Sequence, residues 1–403
     1  MISLERYAEL FRVPHMRATL LASILGRIPI GMSTLAILLF VQHRTRSFAF
    51  AGSTAALYVL GLAAVAPIVG RVIDRFGPRP LLTTAAILYP ALLLALIALV
   101  TREAGPLAIA ICATLAGATL PPITICMRAL YPRLLQTEGL LQTAYSVDSA
   151  LVEMIFIVGP TLVAACVAAG LPSAALPAAA LCALIGAALF LRAPPVRSWR
   201  AETVRARRDL LGPLRCAPLL AVFAAAVLFA LSFGLFEVAV TALAAERGSP
   251  GAAGLILGVA SIGSAAGALI YGGREWRAPL PRQFLLAVML MAAGLLVLAP
   301  ISNLYLLGSV SIVAAAPMAT VIAVQSLLIS RLAPRPMLAE SFTWSATCLL
   351  GGISAGFAIG GVLTEYASPQ VMLAIAAIPP LLAAAVVQVG GGAKTCREPH
   401  QSE

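Results

Sequence analysis

Long apolar runs recur along the whole chain, roughly one every 30 residues, divided by short polar or Pro/Gly-rich breaks. They lie near 16–41, 49–71, 80–101, 107–130, 143–168, 174–192, 217–243, 252–272, 284–300, 304–330, 341–365 and 370–389. A helix crossing the hydrocarbon core needs about 20 residues, and each run comes close to or exceeds that. Composition agrees: 61% of the 403 residues are hydrophobic and only 11% are charged. A soluble domain carries about a quarter charged residues, and a single soluble core stops growing near ~250–300 residues. The expectation is an all-α integral membrane protein with twelve transmembrane helices. A secreted enzyme, a soluble nucleic-acid binder and a disordered chain are excluded.

The net charge of +11 is explained by position. With the N-terminus placed inside, 22 of the 27 basic residues fall on the cytoplasmic side, including Arg6, Arg12, Arg71, Arg75, Arg79, Arg128 and Arg331. Arg44, Arg46, Arg102 and Arg247 fall outside, and Arg27 falls within the first run. Positive charge marks the cytoplasmic face, so both termini are expected in the cytoplasm and no nucleic acid is needed. Arg in place of Lys, with abundant Ala, is the usage of a GC-rich bacterium, so the expected location is a bacterial inner membrane.

The longest polar stretch, Arg192 to Cys216, reads as a linker holding Arg197, Arg200, Arg205, Arg207, Arg208 and Asp209. It divides the chain into residues 1–192, a cytoplasmic linker 193–216, and residues 217–403 with a short tail. A constant offset of 197 relates the two halves: Gly61 meets Gly258, Gly70 meets Gly267, and Leu141 meets Leu338. Tyr145 meets Phe342, Ser146 meets Thr343, and Gly159 meets Gly356. Repeated six-span halves are an architecture of secondary transporters.

Seven cysteines, mostly inside apolar runs, read as packing residues and not as a disulfide framework. The three histidines stand at or beyond span ends, so no metal site is expected. Residues Met1 to Arg17 lack the apolar core and cleavage site of a signal peptide, and the first span is expected to be retained.

Between the second and third runs stands Gly70-Arg-Val-Ile-Asp74-Arg75-Phe-Gly77-Pro78-Arg79-Pro80. It resembles the signature loop of the major facilitator superfamily: glycine, three residues, Asp-Arg, any residue, glycine, then basic residues. Gly70, Asp74, Arg75, Gly77 and Arg79 occupy matching positions, and Pro78 replaces a usual basic residue. The resemblance implies a loop that locks the cytoplasmic face in one state. Gly77 and Pro78 are expected to make the turn, Pro80 to open the third helix, and Asp74 to meet a basic residue or a helix N-terminus. The corresponding loop of the second half, Tyr271-Gly-Gly-Arg-Glu275-Trp-Arg277, is a degenerate copy.

The fifth run contains Gly159-Pro160. The drug–proton antiporter branch of the same family has Gly-Pro here within a longer glycine pattern, in which this chain has Ile155, Val163 and Ala164 instead. The eleventh run carries Gly352, Gly356, Gly360 and Gly361, with Phe357 in the proline's place. The two runs together resemble a diverged antiporter motif, and helix packing through small residues explains them equally well.

Ionisable groups inside a span cost at least about 2.5–3.5 kcal/mol unless they pair or face water. Arg27 is one, flanked by Gly26, Pro29 and Gly31, which point to a kinked or partly unwound first span. Glu153, in span five, is expected at similar depth and is the candidate partner of Arg27, as an ion pair or as a shared substrate or proton site. Glu237, nearer the outer end of span seven, is a second candidate proton carrier or a hydrated carboxylate at the outer mouth. Asp148 is expected near the start of span five, as a helix cap or a partner of Arg128. Pro121-Pro122, Thr124, Met127, Gln325, Tyr145 and Phe342 are cavity candidates of lower rank.

Gly390-Gly-Gly392-Ala393-Lys394-Thr395 resembles a phosphate loop but lacks the glycine before lysine and a preceding strand. No cofactor is expected, and a proton gradient is the expected energy source. Three functional classes follow: proton-coupled efflux of a small organic solute, proton-coupled uptake of a metabolite or organic anion, and, remotely, a membrane-embedded enzyme. The expected partners are a small-molecule substrate, protons and the bilayer, with the protein a monomer.

Overall fold

A computed structural model describes residues 4–199, 212–249 and 251–390. Among the described residues there is no strand, and twelve helices are long and apolar enough to cross a membrane. They are Met16–Thr45, Phe50–Phe76, Pro78–Thr101, Pro106–Leu134, Glu138–Ala168 and Ala175–Arg192, then Ala217–Glu246, Gly251–Gly272, Leu280–Leu298, Leu304–Leu332, Arg335–Leu363 and Pro369–Gln388. We number them spans one to twelve. A short amphipathic helix, Leu4–Arg12, precedes them. Linker residues Arg200, Arg205, Arg207, Arg208 and Asp209, and the Gly-rich tail beyond Gly390, lie outside the described residues.

By contact the chain forms two compact units. One comprises Phe11–Leu130 and Ile155–Arg205; the other comprises Met1–Leu10, Tyr131–Met154 and Ala206–Glu403.

Each unit is held by helices that touch backbone to backbone. Lipid tails are as apolar as leucine, so association in the membrane relies on close packing, which small residues permit. In the first unit, a Cβ on Gly186 of span six would lie 2.2 Å from Gly26 of span one. A Cβ on Gly61 of span two would lie 1.9 Å from the Thr114 carbonyl of span four, and one on Gly159 would lie 2.5 Å from Gly31. Around these contacts Met32, Phe40, Tyr58, Leu93 and Leu176 form a buried apolar cluster. In the second unit, Gly352 and Gly356 of span eleven rest on the Val227 and Leu231 carbonyls of span seven, and Gly234 rests on the Ile353 carbonyl. Of the glycines that resemble an antiporter motif, Gly159, Gly352, Gly356 and Gly360 are thus occupied in packing, and Gly361 is not.

Three spans are broken near their middle, each beside proline. Span four consists of Pro106–Ala118 and Ile123–Leu134, separated around Pro121-Pro122. Span ten consists of Leu304–Ala314 and Pro317–Leu332, and span twelve of Pro369–Ile375 and Ile378–Gly390. In span ten Pro317 has no N–H to offer the Val313 carbonyl. That carbonyl accepts from the Ala316 amide at 3.2 Å instead, and the helix tightens and stops. Span one departs from expectation: Pro29 sits inside one unbroken helix, Met16–Thr45. Its glycines serve close approach by spans five and six, and no unwinding results.

Span five starts at Glu138, earlier than its apolar run, and Glu138 to Gln142 continue the helix beyond the apolar stretch. Cys112, Cys126, Cys166, Cys182 and Cys348 are free thiols.

Candidate functional site

The signature loop is a turn of one residue. Gly77 closes span two and opens span three, with φ at +77° and its amide donating to the Ile73 carbonyl at 2.8 Å. Pro78, and not Pro80, is the first residue of span three. Arg75 and Arg79 are exposed, and the Arg75 guanidinium lies 5.1 Å from the centre of the Phe76 ring. Asp74 is half-buried on the last turn of span two.

Arg27 is fully buried in span one, the largest side chain so enclosed. Together with Asp74 it acts electrostatically on the buried Cys126 of span four. Farther along the same unit, the Ser33 and Tyr89 hydroxyls meet at 2.5 Å, and Tyr58 and Tyr89 meet at 3.2 Å, joining spans one, two and three.

Glu153 belongs to the other unit. Its Oε1 accepts from Ser264 Oγ of span eight at 3.0 Å, and Ser261 also hydrogen-bonds to the carboxylate. Ala150, Ala265, Ala268 and Ala319 pack into a small buried cluster that brings spans five, eight and ten together there. Asp148 is fully buried and accepts from the Tyr131 hydroxyl at 3.4 Å. Span five begins at Glu138, so Asp148 lies well inside the helix and does not cap it. Tyr145 stacks edge-on against Tyr131, with ring centres 5.5 Å apart, and lies 6.0 Å from Phe342. The two aromatic residues related by the offset of 197 therefore meet. Gln325 donates to Ser345 at 3.1 Å. Glu237, the candidate proton carrier or hydrated carboxylate, has an exposed side chain on span seven.

Sequence reasoning missed how the end of span eight is capped. The last carbonyls of a helix lack intrahelical partners. Here Gln142 Nε2 donates to the Tyr271 and Arg274 carbonyls at 2.7 and 3.0 Å, and Thr143 Oγ1 donates to the Gly272 carbonyl at 2.8 Å. The N-terminal helix adds Arg6, which donates to the Arg274 carbonyl at 3.1 Å and pairs with Glu275 at 2.6 Å. Tyr7 donates to the Leu269 carbonyl. Burial pushes the Tyr7 hydroxyl up to about 12, so it stays a neutral donor through the physiological range. The degenerate loop thus holds on to the chain's own N-terminal helix. Glu340, buried in the first turn of span eleven, lies against the Gly212 backbone and was also missed, because it precedes the apolar run. Among the described residues, no three His, Cys, Asp or Glu side chains come together as metal ligands would.

No curated protein matches the sequence. Solved structures match over nearly the whole chain. A bacterial homologue of the iron transporter ferroportin, in an outward-facing state, superposes with a TM-score of 0.78 at 17% identity, covering 94% of this chain and 99% of that one. The human organic anion transporter MFSD10 (TETRAN) gives 0.72 at 16% identity, covering 93% of this chain and 100% of that one. The E. coli fucose:proton symporter gives 0.68 at 12% identity, covering 94% and 99%. The family model described as Major Facilitator Superfamily matches residues 19–238, more than half the chain. Twelve helices, a one-residue turn bearing the signature loop and this match together place the chain in the Major Facilitator Superfamily.

Proposed function

We propose that the chain is a proton-coupled secondary transporter of a small organic solute, exporting it by alternating access. The family supplies the transport class. The observation that carries the coupling is Glu153, a carboxylate in the middle of a membrane span whose hydrogen-bond donors are hydroxyls. Such a group can gain and lose a proton without breaking an ion pair. Glu237, exposed on span seven, is the second candidate proton site. The export direction rests on Gly159-Pro160. The protein acts as a monomer in a bacterial inner membrane, both termini in the cytoplasm, with the loop Gly70–Arg79 controlling that face.

Proton-coupled uptake of an anionic metabolite is the second reading, favoured by the buried cation Arg27. Everted vesicles with a pH-sensitive dye separate the two. A panel of organic cations, organic anions, sugars and divalent iron is added outside vesicles whose lumen is acidified. Export predicts that one compound accumulates and dissipates the gradient, and that Glu153→Gln abolishes the response at least tenfold. A response that survives both Glu153→Gln and Glu237→Gln overturns the coupling. Accumulation only in right-side-out vesicles overturns the direction.

A further inference from the structure

Span eight presents Gly263-Ser264-Ala265-Ala266-Gly267. A Cβ on Gly263 would lie 1.9 Å from the Ile312 carbonyl, and one on Gly267 would lie 2.0 Å from the Ala316 carbonyl. Two glycines four residues apart therefore seat span eight on the backbone of span ten, at the place where span ten breaks. Ser264, between them, is 1% exposed.

The break leaves a helix start inside the protein. Pro317 opens the second piece and has no N–H, and Ala319 is its third residue. Amides of the first turn have no acceptor within their own helix. Ser264 Oγ accepts the Ala319 N–H at 2.9 Å and capping is thereby supplied by another helix. The same oxygen donates to Glu153 Oε1 at 3.0 Å. An amide can only donate and a hydroxyl has one hydrogen. With Glu153 ionised, and so only an acceptor, the direction is fixed: Ala319 N–H to Ser264 to Glu153 Oε1. A hydroxyl donates a stronger hydrogen bond to an ionised carboxylate than to a neutral one.

Spans five, eight and ten otherwise carry Glu138, Tyr145, Asp148, Cys166, Tyr271, Tyr305 and Arg331 as titratable or charged groups. Glu138 pairs with Arg331 at 3.2 Å, Tyr145 and Asp148 meet Tyr131, Tyr271 donates to Gln283, and Tyr305 is exposed. Arg27 belongs to the other unit. By the offset of 197, Ser264 corresponds to Pro67 and Glu153 to Leu350, so the arrangement exists once.

We propose that Ser264 is a positioning residue that ties ionised Glu153 to the broken end of span ten, so that protonation of Glu153 releases span five from that end. This rests on the reading of Glu153 as a proton site. The test uses the full-length protein in liposomes without substrate. Infrared titration follows the protonated carboxyl band that Glu153→Gln removes, and hydrogen exchange follows the amides of Met318 to Thr320. Loss of one donor to a carboxylate is expected to move the band's midpoint up by about one pH unit in Ser264→Ala, a tenfold gain in proton affinity. Ser264→Thr returns it. Should Ser264→Ala not fold, Ser264→Cys, a weaker donor, shifts the midpoint the same way. In the wild type, protection of the Ala319 amide relative to its intrinsic exchange rate falls at least tenfold as pH falls through the midpoint, and in Glu153→Gln it is low at every pH. A midpoint unmoved in Ser264→Ala, or protection at Ala319 indifferent to pH, overturns the role of Ser264 while leaving the proton site standing. A spectrum with no Glu153-dependent band at any pH overturns the proton site itself.

Discussion

Spans four and ten are both broken in mid-membrane, and they solve the same problem differently. In span four two prolines make the break, and the local backbone repairs it: the Ile123 and Cys126 amides donate to the carbonyls of Pro121 and Pro122 at 2.8 and 3.1 Å. The Thr124 hydroxyl in that first turn is buried with no hydrogen-bond partner. In span ten one proline makes the break; the local backbone closes part of it, and a hydroxyl from span eight takes the Ala319 amide and carries the connection onward to Glu153. A helix end closed by its own backbone is a fixed piece of architecture. One closed by a side chain that also binds a carboxylate depends on the charge of that carboxylate. The difference teaches that the two related halves diverge in what their shared break is connected to.

The largest expected effect comes from separating the paired spans. Gly263→Leu and Gly61→Leu each place a side chain onto a carbonyl of the facing helix. Both should lose about 3 kcal/mol or more, read as a collapse of the melting temperature and of the monodisperse peak in detergent. If only one does, the two contacts are not equivalent supports. Next, Ser264→Val strands the Ala319 amide and should cost about 1–3 kcal/mol, whereas Thr124→Val removes a hydroxyl that bonds to nothing and should be neutral or stabilising by up to about 1 kcal/mol. Equal melting shifts for the two would erase the contrast drawn between the breaks. Smallest is Gly258→Ala. Gly258 is the offset partner of Gly61, yet a Cβ there meets nothing within 4 Å. Its stability should change by less than about 0.5 kcal/mol, while Gly61→Ala, which would push against the Thr114 carbonyl, should cost several times that. Thermal melts of the two alanine variants side by side check the asymmetry.

The twelve helices were legible because crossing lipid demands length and apolarity, both visible in any window of the chain. Breaks were half legible. Pro121-Pro122, which mark the one in span four, were read only as cavity candidates, and Gly26, Pro29 and Gly31 pointed to span one, where the helix runs unbroken. A glycine beside a proline signals either an interruption or a close neighbour, and only the neighbour, here Gly186 or Gly159, decides. Glu153 stood out as a charge in an apolar run. Ser264 did not: a serine in a small-residue helix costs little, follows no period, and meets a partner 111 residues away. Glu237 was visible for the same reason as Glu153, yet its exposure depends on which way span seven turns, and the nearly uniform apolarity of Ala217–Glu246 does not encode that.

Gly77 is the last cap of one helix and the first cap of the next. A joint of one residue, with φ in the region that only glycine adopts freely and a proline fixed behind it, stores no slack. Spans two and three are mechanically a single hairpin: a tilt applied to either reaches the other undamped. Any rearrangement of the protein must take up its strain elsewhere, and the interrupted middle of span ten, held by a side chain of span eight, is a compliant section available for it.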